Sequence, residues 1–87
     1  MVSQKITLTN QQGFHMRPAG VFVKAMGKYK SDVAIEFNGK TFDGKSLMNI
    51  IAACIKYGSE IEIKCSGPDE TEMLKEAVEL IQSGLGE

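Results

Sequence analysis

The stretch Gly13-Phe14-His15-Met16-Arg17-Pro18-Ala19 holds the single histidine of this 87-residue chain, two positions before an arginine. Asn10 to Gly13 is turn chemistry. Ala19, Phe22, Val23 and Met26 follow at i, i+3, i+4 and i+7, the spacing of one helix face. Pro18 suits the first turn, where a missing N–H costs nothing. His15 is therefore expected at a helix N-terminus. The backbone N–H groups of Met16 and Arg17 lack internal acceptors there, and the helix dipole favours an anion. An imidazole at that end is expected to be available as a nucleophile. Arg17 adds a fixed charge whose fork of donors suits phosphate oxygens. Together these groups describe a cradle for a phosphorylated imidazole. As bare patterns, a lone histidine before a helix is also an ordinary surface residue, and an arginine an ordinary solvated one.

The chain carries no glycine-rich phosphate loop, no Walker-type lysine and no paired carboxylates for Mg²⁺. A phosphoryl group would have to come from another molecule that already holds it. That chemistry suits a stoichiometric carrier better than an enzyme. Cys54 and Cys65 are too few and too far apart for a disulfide framework, and one histidine without a cysteine pair gives no metal site. Both thiols fall at apolar positions and are expected to be buried. No cofactor is expected.

The elements that must position His15 follow from periodicity. Lys5, Thr7 and Thr9 alternate with Ile6 and Leu8, as in a half-buried strand. Val33, Ile35 and Phe37 alternate before Asn38-Gly39 and Lys40-Thr41-Phe42, a strong hairpin signal. Asp43-Gly44 makes a second turn. Leu47, Ile50, Ile51 and Cys54 repeat the helical spacing behind Ser46, a natural N-cap, and Gly58 ends that segment. Ile61, Ile63 and Cys65 alternate with Glu60, Glu62 and Lys64. After Gly67-Pro68, Asp69 with Glu72 resembles a capping box, Leu74, Ala77, Val78 and Ile81 form an inner face, and Gly84 is a stop. The order βαββαβα, with one apolar and one wet sheet face, predicts an α+β open-faced β-sandwich. Its four-stranded antiparallel sheet is covered on one face by three helices.

Residues 1–87 are expected to form one domain, large enough for a compact core and a shallow surface site. With 43% apolar and 24% charged residues the composition is that of an ordinary soluble globule. No apolar run approaches a membrane span, and the opening is no signal peptide, so a cytoplasmic location is expected. A net charge of −1 speaks against nucleic acid. Residues 1–57 hold eight basic and three acidic residues, a net of +5, whereas residues 58–87 hold two and eight, a net of −6. The basic side could steer an acidic partner, and the acidic side fits the wet face of a helix. Met16 and Gly20 lie off the inner stripe of the first helix, and Met48 off that of the second. Exposed methionines there suit a surface that accepts several partners, or are scattered surface residues.

Gly13, His15, Arg17, Pro18 and Ala19, with Lys45-Ser46-Leu47-Met48, Asn38-Gly39-Lys40, the Gly67 turn and the ending Gly84-Leu85-Gly86-Glu87, resemble the HPr family. This is the phosphocarrier family of the bacterial sugar phosphotransferase system, and the likeness runs the full length. The resemblance implies that enzyme I, charged from phosphoenolpyruvate, phosphorylates His15 at Nδ1, and that the group passes to a histidine of a sugar-specific enzyme IIA. It implies that Arg17 and the following backbone amides hold the phosphate, and that Met16, Gly20, Lys24, Leu47 and Met48 dock partners. It also implies regulation at Ser46 by an HPr kinase/phosphorylase, with a catabolite-control transcription factor binding the phosphoserine form. A monomer is expected, since a transient relay needs a free face. Gln12, Met16, Asn49 and Asp43-Gly44 depart from the family's usual residues. The alternatives are an HPr-like regulatory paralogue and a non-catalytic ferredoxin-like binding module.

Overall fold

The computed structural model describes residues 1–86. Seven elements follow one another: β1 (Val2–Thr7), α1 (Met16–Met26), β2 (Asp32–Phe37), β3 (Lys40–Asp43), α2 (Leu47–Ala53), β4 (Glu60–Ser66) and α3 (Glu70–Gln82). The strands form one antiparallel sheet in the order β1-β4-β2-β3. This is the α+β open-faced sandwich that the alternation predicts.

The register follows from the period of two. Ile6 pairs with Ile61, Ile35 with Ile63, and Val33 with Cys65, so the apolar residues of neighbouring strands share one face. Phe22 and Met26 of α1, Ile50 of α2, and Met73, Ala77 and Ile81 of α3 join Val33, Ile35, Ile61, Ile63 and Cys65 in a single buried cluster. The opposite face pairs Lys5 and Glu36 with Glu62, and Lys64 Nζ meets Glu36 Oε2 at 2.6 Å. The β2–β3 turn places Asn38 at φ 52 and Gly39 at φ 77, the two left-handed residues of a type I′ hairpin.

Three local expectations are corrected. The Leu47-to-Cys54 stripe stops short, because α2 ends at Ala53 and Cys54 turns left-handed (φ 54, ψ 42) rather than continuing to Gly58. Once off the helix, Cys54 no longer follows its inner stripe, and it is exposed; Cys65 is buried as expected. At the start of α3, Asp69 makes no side-chain cap bond. Its carboxylate instead accepts from Lys30 N at 3.0 Å, Ser31 N at 2.8 Å and Ser31 Oγ at 2.5 Å. The reach-back belongs to Glu70, whose Oε1 accepts from Gly67 N at 3.1 Å, and not to Glu72.

Candidate functional site

The approach to α1 is tied down at every step. Leu8 N donates to Ser59 O at 2.9 Å and Gly58 N to Leu8 O at 3.0 Å, which fastens the end of β1 to the turn after α2. Asn10 and Gly13 close a tight turn, and Phe14 N donates to Ile55 O at 2.9 Å. The Phe14 ring is buried edge-on to Phe22, with centroids 5.4 Å apart. The residue just before His15 is thus anchored in the core of α1.

His15 is the N-cap of α1, extended at φ −75 and ψ 179, and its carbonyl accepts the Ala19 amide at 2.9 Å. Ser, Thr, Asn or Asp at an N-cap would turn its side chain back onto the helix. His15 makes no side-chain cap bond, and the residue is exposed. Met16 and Arg17 carry the first helical amides, beyond reach of any intrahelical carbonyl, and Pro18 has none. The first turn holds no acidic residue, so the positive end of the dipole is not neutralised there.

Two surface depressions flank this terminus. His15 and Met16 line an apolar groove of about 400 Å³ with Phe14, Ile51, Cys54, Ile55 and Lys56. Arg17 lines a more polar hollow of about 560 Å³ with Thr9, Asn10, Gln11, Gln12, Gly84 and Gly86. The imidazole and the guanidinium therefore border neighbouring surfaces, one apolar and one polar. Another hollow, between Tyr29 and α3, is lined by Glu72, Glu76 and Glu79 and holds neither His15 nor Arg17.

Met16, Gly20 and Lys24 are spaced by four residues along α1 and so share one of its sides. Met16 is 64% exposed, and open space lies above Gly20 where a side chain would start. Lys24 is exposed in the last turn. On α2, Met48 is 71% exposed, whereas Leu47 is half-buried against the core. Ser46 caps α2, its Oγ accepting from Asn49 N at 3.3 Å and from Asn49 Nδ2 at 3.2 Å. Lys45 Nζ is turned away to Tyr29 O at 2.8 Å.

Sequence reasoning missed Cys54, Ile55 and Lys56 as neighbours of His15, and Asn10, Gly84 and Gly86 as neighbours of Arg17. Gly13 was the available signal. A Cβ there would stand 2.5 Å from Ile55 O, and its φ of +61 is left-handed, so the residue marks a close backbone approach.

The fold and this terminus define a class: a small open-faced sandwich that presents one exposed imidazole at a helix N-cap, beside exposed apolar side chains suited to meeting other macromolecules. The protein-family model described as "PTS HPr component phosphorylation site" matches residues 2–83. The chain belongs to the HPr family of phosphotransferase-system phosphocarriers, a family of carriers rather than catalysts. It is 36% identical over 83 residues to the phosphocarrier protein HPr of Borreliella burgdorferi, covering 95% of this chain and 96% of the relative. It is 33% identical over 82 residues to the HPr-like protein Crh of Bacillus subtilis, covering 94% and 96%. The crystal structure of HPr-C-His from Thermoanaerobacter tengcongensis superposes with a TM-score of 0.96 at 34% identity, covering 100% and 98%. A dimer structure of that organism's HPr superposes at 0.80, covering 100% of both chains.

Proposed function

We propose that this chain relays a phosphoryl group from phospho-enzyme I, charged by phosphoenolpyruvate, to a sugar-specific enzyme IIA through a phosphohistidine at His15 Nδ1. The observation that carries the reading is the exposed His15 N-cap, whose imidazole makes no capping bond at a terminus whose first turn holds no acidic residue. On transfer to an enzyme IIA histidine, an N–P bond forms at the acceptor ring as the N–P bond at His15 breaks, its electron pair returning to the His15 nitrogen. A phosphorylated and a free imidazole exchange roles, so no proton or electron is gained or lost overall. The Met16 and Arg17 amides and the Arg17 guanidinium stabilise the negative oxygens. Met16, Gly20, Lys24, Leu47 and Met48 form the docking surface, where flexible methionines adapt to more than one partner.

Ser46 is read as the regulatory site of an HPr kinase/phosphorylase, its phosphoserine form serving a catabolite-control transcription factor. A phosphate at a capping serine is compatible with the helix, and its charge of about −1.5 to −2 would disturb enzyme I docking beside Met48. The relay is proposed to act in the cytoplasm as a monomer; no helix among the described residues is long and apolar enough to cross a membrane.

Incubation with phosphoenolpyruvate and enzyme I tests the reading: the chain is expected to gain one acid-labile phosphate, and His15→Ala none. The similarity to Crh supports a second reading, an HPr-like regulatory paralogue. In that case the kinase would label Ser46 while enzyme I left His15 unmodified. A ferredoxin-like binding module would take neither phosphate.

A further inference from the structure

The loop that delivers His15 contains a buried polar side chain with no part in the relay as described. Asn10 is 4% exposed. Its Nδ2 donates to Gly13 O at 2.7 Å, and its carbonyl oxygen accepts from Gly13 N at 3.2 Å. The turn is therefore closed by both side chain and main chain. Gly13 is pressed against Ile55 O and the Lys56 backbone on its other side, and the next amide, that of Phe14, is held by the same Ile55 oxygen. His15 comes next. The Asn10 amide holds the carbonyl end of the Gly13–Phe14 peptide and Ile55 O holds its N–H end, so the backbone leading into His15 is fixed at both.

The other half of the Asn10 amide argues that the residue is more than a stabiliser. Its Oδ1 is buried with no donor among the described residues. That acceptor offsets part of what the Nδ2 bond to Gly13 O contributes to stability. What a smaller or apolar side chain would lose is the grip on Gly13.

We propose that Asn10 is a positioning residue for phosphoryl transfer at His15, its side-chain amide locking the Gly13 carbonyl so that the imidazole leaves the helix terminus at one angle. The proposal rests on the relay reading of His15. Asn10 touches neither the N–P bond that forms nor the one that breaks; it acts through Gly13. Transfer between two rings demands a near-in-line approach, and small errors of placement lower the rate steeply.

The test uses the full chain as acceptor from phospho-enzyme I, titrated to separate docking from chemistry. Asn10→Ala is expected to lower the maximal transfer rate about tenfold. The half-saturating concentration should stay within about twofold and the Tm within a few degrees. Asn10→Ser, which keeps a short donor beside the turn, should recover most of the rate. Amide hydrogen exchange at Phe14 should quicken about tenfold in Asn10→Ala, whatever the partner. A wild-type rate in Asn10→Ala, a loss that tracks Tm without rescue by Asn10→Ser, or unchanged exchange at Phe14 would each overturn the proposal alone. A wild-type chain that accepts no phosphate would instead overturn the relay reading, and the proposal with it.

Discussion

Gly13 lies so close to Ile55 that no side chain fits between them: a Cβ would stand 2.5 Å from the Ile55 carbonyl oxygen and 2.8 Å from Lys56 Cα. Both obstacles are backbone, so neither can swing aside. The contact sets the distance between the loop that carries His15 and the end of α2. Gly13→Ala combines this clash with a left-handed φ of +61 and is expected to destabilise the protein by about 1–3 kcal/mol. Denaturant unfolding measures the loss; a variant as stable as wild type would show that the loop can move off α2 at no cost.

Arg17 borders the polar hollow beside the α1 terminus and is exposed, so its removal should leave the fold intact. Arg17→Ala is expected to slow phosphoryl transfer to enzyme IIA about 100-fold, the scale of losing one preorganised donor to a developing charge, with little change in Tm. Unchanged transfer would remove Arg17 from the site.

Asp69 links α3 to the residues before β2. The Ser31 hydroxyl, and after it the Lys30 and Ser31 amides, hold its carboxyl down to about 2 from an ordinary 3.8. Because the unfolded chain takes up this proton more readily, the contribution is present above pH 4 and is lost as pH falls through about 2. At neutral pH, Asp69→Asn should melt below wild type, and the gap should close between pH 4 and 2. Thermal melts over that range decide it; a gap that persists at pH 2 would place the origin elsewhere.

The two thiols are expected to react apart. Cys54 is exposed, whereas Cys65 is fully buried and its thiol is pushed up to about 11, chiefly by burial. An aromatic disulfide reagent should titrate one thiol in the native protein and two in denaturant. Fast release of two equivalents from native protein would contradict the packing of β4.

Much of this protein is written in local pattern. Alternation at Val33-to-Phe37 and Ile61-to-Cys65, the 3.6-residue spacing through Ala19 to Met26, the Asn38-Gly39 turn and the Ser46 cap each depend on neighbours within a turn or two. Side-chain direction over such short spans is set by the backbone period itself. The same logic puts His15 at a helix start, because Pro18 and the apolar stripe behind it leave few other places for the terminus.

Tertiary structure decided whatever depends on partners distant in sequence. Placing β4 between β1 and β2 brings Ser59 to Leu8 and Ile55 to Phe14, which aims the His15 loop. The same packing draws Asp69 to Ser31, so that a carboxylate suited to capping its own helix serves another segment instead. It also turns Cys54 out of its stripe by ending α2 at Ala53. Each outcome is a competition between a local preference of about 1 kcal/mol and the burial of a shared core, and the core prevails because many side chains join it at once.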